Sequence, residues 1–382
     1  MGNTVVFNGE MVIVARESRG LRQSELAEKI GISSAQLSRL ELGLRDLREP
    51  LLQRKLEEVL GYPAAFFTQR QLVYGLGVSE VFHRKRKSVT DRVLNKAYAR
   101  IYLRTTEIGK LLRNVNIGDT DIRPIDIDAF DNDASEIARM VRASWHLQHG
   151  PIRNLVEVIE NAGGIVIPFD FETTTIDAIS HWPQGMPPLF FVNRFSPMDR
   201  LRFTLCHELG HIIMHRTVDP ESENQADAFA SEFLMPKRDI RPQLADLSLL
   251  KLASLKPLWR VSMAALLKRA TDLEQITPRQ ARALWMQLGK FGYRTREAID
   301  IAPEVPALLT KIIDTHLDEM CYSVSELSEA LCLSDGEMRD TYIDPRQHII
   351  GQERQSTLKE DKKAAIREVE RIFKNGTQDA IK

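Results

Sequence analysis

Cysteine is scarce: three in 382 residues, an odd number, and Cys206, Cys321 and Cys332 form no metal-type pair. A disulfide scaffold is thereby excluded, and a reducing compartment is the expectation. No uninterrupted apolar run of about 18 residues occurs, so no segment reads as a membrane span. The start, MGNTVVFNGEMVIVARESRG, lacks a basic region followed by an apolar run of about 7–15 residues, which argues against secretion. Together these absences predict a cytoplasmic protein with no membrane partner. Low-complexity segments are missing too. An excess of one charge is missing overall, the net charge being −1, but residues 1–116 carry 20 Lys and Arg against 12 Asp and Glu, and the remainder 32 against 41. A basic end beside an acidic body points to a polyanionic partner for the first part only.

What is present divides the chain. Residues 10–66 read as short amphipathic helices broken at Gly20, Gly31, Gly43 and Gly61. A basic knot, HRKRK at 83–87, leads into a helix with apolar Val93, Ala97, Ile101 and Ile108. Phosphate contact and a solvated helix face are equally good readings of the knot. The acidic stretch 118–133 is the expected linker. Beyond it, LVEVIENAGGIVIPFDF reads as helix, glycine turn and strand, and DAISHW and PLFFVN as two further strands. Helical periodicity returns from 198 to about 290 and again over 305–345, with a charged tail expected to hold one helix at 356–374.

In LRQSELAEKIGISSAQLSRLELG, residues Leu26, Ile30, Ile32, Leu37 and Leu40 form an apolar set that locks two short helices together. Gly31 sits at the turn, where a left-handed backbone suits glycine. Ser33 or Ser34 can cap the second helix. That helix would turn Ser33, Ser34, Ala35, Gln36, Ser38 and Arg39 toward the major groove of DNA. Arg39 suits a bidentate pair with guanine, and Gln23 a phosphate. Over roughly residues 9–68 the chain resembles the lambda-repressor-like (XRE) DNA-binding domains, which implies binding to a double-stranded operator as a homodimer.

Residues 206–215 read CHELGHIIMH. His207 and His211, four apart, share a helix face and can meet one zinc ion. Glu208 can take a proton from a zinc-activated water as general base. The third ligand must come from elsewhere. His215 would lie about 12 Å along a straight helix from His207, and packing or capping at the helix end is its expected role. In ESENQADAFASEFLMP, Glu223 can ligate, and Asp227, one turn later, can orient a ligating histidine. Glu221 is the alternative ligand if the register is displaced by half a turn. PLFFVN is the expected edge strand on which an extended polypeptide could pair. Cys206 reads as a small packing residue rather than a redox switch. No residue stands out as oxyanion donor, His181 being a weak candidate.

RFTLCHELGHIIMH followed by ENQADAFASEFLMP resembles the ImmA/IrrE metallopeptidases, whose members commonly follow an XRE domain. The likeness, with FHRKRKS and LWRVSMAALLKRA, extends over about residues 9–345. It implies His207, His211 and Glu223 as metal ligands and Glu208 as catalytic base. Asp227 departs from the more usual Asn, and Cys206 from the more usual Ala. The resemblance also implies a protein substrate, an XRE-type repressor.

Residues 325–340, SELSEALCLSDGEMRD, align without gaps on 24–39. The recognition positions become Asp335, Gly336, Glu337 and Asp340, which phosphate would repel, so a helical packing or protein-binding face is expected there.

The expected fold is mainly α with an α+β domain. It comprises a lambda-repressor-like helical domain (1–72), a basic connecting helix and acidic linker (73–133), a zincin-like metallopeptidase domain with a small sheet (134–292), and a helical C-terminal region with a charged tail (293–382). The expected function is a DNA-binding regulator with a zinc endopeptidase domain, Mn2+ being another metal such a site can take. The alternatives are a non-proteolytic metal-domain sensor, or the regulator half of a toxin–antitoxin or mobile-element pair.

Overall fold

The computed structural model describes residues 7–44, 50–69, 90–216, 220–293, 297–344 and 350. The basic knot at 83–87 and the tail helix expected at 356–374 lie outside them. The fold is mainly helical with one three-stranded sheet, and no described helix is long and apolar enough to cross a membrane.

The N-terminal part packs α1 (Gly9–Ser18), α2 (Gln23–Ile30), α3 (Ser34–Glu41) and α4 (Pro50–Leu60) around Met11, Leu26, Ile30, Leu37, Leu40 and Leu56. Local signals set its turn. Gly31 ends α2 in the left-handed region (φ 78°), and Ser33 caps α3 by accepting from the Gln36 amide at 3.2 Å, while Gln36 accepts from the Ser33 amide at 2.9 Å. All four predicted glycine breaks carry positive φ.

The sheet is ordered β1 (Ile165–Phe169), β3 (Leu189–Asn193), β2 (Ala178–His181), with β1 parallel and β2 antiparallel to β3. Expected as the edge, 189–193 is instead central. The reason lies in its alternation: Phe190 and Val192 enter one core while Leu189 and Phe191 enter another, so both faces and both edges of β3 are covered. Strands β1 and β2 are the two edges of the sheet.

The long helix α5 (Asp91–Leu111) is no mere connector. Its Leu94, Tyr98, Ile101 and Ile108 cover the face of the sheet that holds Ile165, Ile167 and Phe191, while Ala99 and Leu103 enter the N-terminal core. The acidic stretch after it is likewise packed: Ile122 and Ile127 are buried, the Asp121 N–H donates to the Ala162 carbonyl at 2.9 Å, and the Ile125 N–H donates to the Ile213 carbonyl at 2.7 Å. Apolar Ile122, Ile125, Ile127 and Phe130, two or three places apart between the acids, override its linker-like composition.

Two helices before the sheet, α6 (Ala134–Ser144) and α7 (Leu155–Asn161), and five after it, α8 (Met198–Met214), α9 (Ser222–Leu234), α10 (Leu249–Trp259), α11 (Met263–Asp272) and α12 (Pro278–Lys290), share the core on its other side. Glu304 pins two of them: it accepts from the Leu155 and Val156 amides at 2.9 and 3.0 Å, and it pairs with the fully buried Arg202. The last described elements, α13 (Leu308–Asp314), α14 (Val324–Leu331) and α15 (Asp335–Met338), return to the α5 side. There the predicted second hairpin has helix-turn-helix geometry, with Cys332 at φ 60° where α2 ends in Gly31, and Ser334 capping α15. Its Glu337 pairs with Arg19 at 2.7 Å, and Cys332 joins the N-terminal core.

Candidate metal centre and nucleic-acid interface

Helix α8 carries His207, Glu208 and His211, all buried. Helix α9 runs against it, and Gly210 permits the approach: a Cβ there would lie 3.2–3.3 Å from Phe229. The two Nε2 atoms of His207 and His211 face each other at 3.0 Å, and the Glu223 carboxylate stands 3.6 Å from each. These three side chains offer ligand atoms within 4.8 Å of one another. Glu221 stands just before α9, with no side-chain capping bond, and is not in this group.

Each imidazole is held from behind. His207 Nδ1 lies 2.9 Å from Asp227 Oδ1. His211 Nδ1 lies 2.9 Å from His215 Nδ1, His215 Nε2 lies 2.9 Å from Gln225 Oε1, and the Gln225 amide donates to Asn132 Oδ1 at 3.2 Å. Read as a run of donors toward acceptors, this chain puts a proton on Nδ1 of His207 and of His211, makes His215 Nδ1 an acceptor, and leaves the Nε2 lone pairs of His207 and His211 facing Glu223. Two neutral nitrogens and a carboxylate converging in this way fit a divalent metal of the zinc type. Burial works against a charge on His207, but the Asp227 hydrogen bond and the carboxylates of Glu208, Asp227 and Glu223 outweigh it and raise its pKa above the usual imidazole value.

Glu208, beside His207, also reaches the sheet. Its Oε2 accepts from the Ser180 amide at 3.1 Å and from the Ser180 hydroxyl at 2.6 Å. Ser180 lies on β2, an edge strand, so base and strand adjoin. The neighbouring His181 is held neutral, because burial lowers its pKa to about 4. Cys206 is fully buried and burial pushes its thiol up, which leaves it a packing residue.

At the other end of the molecule, Ser33, Ser34, Ala35, Gln36 and Arg39 are exposed and Ser38 is half-buried, all on or beside α3. Gln23 is less free than expected: its amide nitrogen donates to Glu41 at 2.7 Å, and Glu41 in turn accepts from Arg16 at 2.7 Å. Gln36 uses its side-chain carbonyl as a cap.

Sequence reasoning missed Ser180, Gln225 and Asn132 and undervalued His215. His215 carried a signal, the repeated spacing of four from His207 through His211. What hid its role is the end of α8 at Met214: the extended backbone of His215 (φ −114°, ψ 112°) continues no helix. Ser180 carried none, since a serine on a four-residue strand is unremarkable in a sequence.

A helix-turn-helix that displays a polar helix, joined to a domain with two histidines and two glutamates on facing helices, defines a DNA-binding regulator with a peptidase-type domain. Residues 14–67 match the family model described as Helix-turn-helix, and residues 159–271 match the one described as IrrE N-terminal-like domain. The chain is thus a fusion of an XRE-type helix-turn-helix with an IrrE/ImmA-like peptidase domain. No curated protein matches it.

Proposed function

We propose that the protein is a transcriptional regulator whose domain at 159–271 is a zinc-dependent endopeptidase that cleaves a repressor-type protein. The observation that carries this reading is Glu208: a metal site used only for sensing needs no carboxylate beside it, yet this one is buried next to His207 and anchored to the edge strand β2. His207, His211 and Glu223 would hold the metal, with Asp227 orienting His207. Zinc, when bound, supplies Lewis acidity toward water and the scissile carbonyl. Glu208 accepts the proton of the attacking water and passes it to the leaving amine. Ser180 on the edge strand β2 holds the Glu208 carboxylate in place with both its N–H and its hydroxyl. Ser33, Ser34, Ala35, Gln36, Ser38 and Arg39 would read the operator, with two chains bound to a two-fold site. A cytoplasmic location follows from that target.

The test compares metal content and cleavage for the wild type and Glu208→Gln, each co-expressed in cells with a cognate XRE-type repressor. Equal zinc in both and cleavage by the wild type alone supports the peptidase. Zinc in both and an intact repressor with both sinks cleavage of that repressor and favours a metal-domain sensor. Absence of zinc sinks the site.

A further inference from the structure

A cavity of about 240 Å3 opens beside the metal centre, and its walls continue the same helix faces. On α8, Phe203 stands one turn before His207; on α9, Ser231 stands one turn after Asp227. Helices α11 and α12 close the far side with Ala265 and Trp285. Asp227 belongs to both places, since it lines the cavity and its Oδ1 meets His207 at 2.9 Å.

We infer that this cavity is a substrate subsite that takes an aromatic or bulky aliphatic side chain of the polypeptide next to the scissile bond. The inference rests on the peptidase reading above. Size permits it: an apolar cavity of about 150 Å3 holds a benzene ring. Chemistry favours it, because Phe203 and Trp285 are only half-buried and can meet an entering ring edge-to-face or offset, and Ala265 leaves the room. Charge disfavours the other occupants. Arg200 on the wall donates to Asp177 at 2.8 Å, Lys268 pairs with Asp272 at 3.1 Å, and Asp227 faces His207. An acidic side chain would meet Asp227, and a basic one would meet Arg200 and Lys268, each next to charges already matched. An apolar side chain needs no counter-charge and gains from leaving water.

The experiment uses the full chain carrying Glu208→Gln, loaded with zinc. N-acetylphenylalaninamide and N-acetylalaninamide are titrated in while the indole N–H signals are followed by NMR, and Trp285→Phe assigns the relevant signal. The phenylalanine probe is expected to move the Trp285 signal at a concentration about tenfold lower than the alanine probe, the smaller end of what burying such a side chain gives. Ala265→Phe, which fills the cavity, should abolish the response with unchanged zinc content and melting temperature; Ala265→Leu takes its place if the larger residue unfolds the chain. Equal responses to the two probes, no response to either, or a response that survives filling would each overturn the subsite. Because the readout needs no turnover, failure of the peptidase reading shows separately, in the comparison of wild type with Glu208→Gln on a protein substrate.

Discussion

Ser180 and Glu208 are joined twice: both the backbone N–H and the hydroxyl of Ser180 donate to the same carboxylate oxygen, at 3.1 and 2.6 Å. The residues are 28 apart in the chain, and the pair ties the proposed base to an edge strand of the sheet. Replacing Ser180 by Ala removes the shorter bond and leaves the amide one. A hydrogen bond to a charged group contributes roughly 1.5–3 kcal/mol. Ser180→Ala should therefore lower kcat by about tenfold or more, with zinc content unchanged and Ser180→Thr restoring most of the rate. Metal analysis beside steady-state cleavage checks this; a loss of zinc would mean that Ser180 supports the fold rather than Glu208.

His215 stands behind His211, and such partners fix both ring orientation and tautomer. His215→Phe keeps the bulk and removes the hydrogen bond. Zinc affinity, measured by chelator competition, should fall by about 10-fold to 100-fold. Gln225→Leu, one step further back, should have a smaller effect in the same direction. Unchanged affinity in His215→Phe would reduce this histidine to packing.

His181 is neutral in the fold, with a pKa lowered by burial to about 4 from its ordinary value of 6.5. The unfolded chain therefore binds a proton that the folded chain refuses between those two values. Stability from this group is complete above pH 6.5 and is lost as the pH falls toward 4. Discounted for the partial exposure of the ring, the loss is on the order of 1–2 kcal/mol. His181→Gln should flatten that part of the curve of melting temperature against pH. A curve identical to that of the wild type would show the ring to be solvated.

Arg39 is exposed on α3 and would make the most specific base contact. Arg39→Ala should weaken operator binding by about 1–3 kcal/mol, or roughly tenfold to hundredfold, and relax specificity at one position. Fluorescence anisotropy on a selected operator would measure it. Glu208→Gln should leave that affinity unaltered, since α3 and α8 share no core.

Much of this was legible one helical turn at a time. The turn at Gly31, the cap at Ser33, the shared face of His207 and His211, and the spacing of Glu223 and Asp227 are all short-range patterns, and the structure builds each as a local unit. Strand order was not legible, because an apolar run such as LFFVN suits any position with two covered faces. The two-sided use of α5 was hidden as well, since Ala99 and Leu103 look like ordinary core positions until a second core is known to lie behind them.

The sequence by itself determined most of the helices and strands and which polar side chains share a helix face, because periodicity, caps and four-residue spacings act within one turn and need no partner. Tertiary structure alone decided which groups meet: Ser180 with Glu208, His215 with Gln225, Glu337 with Arg19, and the cavity beside Asp227. Those contacts follow from how helices and strands distant in the chain pack on one another. That packing minimises exposed apolar surface over the whole molecule, a quantity no short stretch of residues contains.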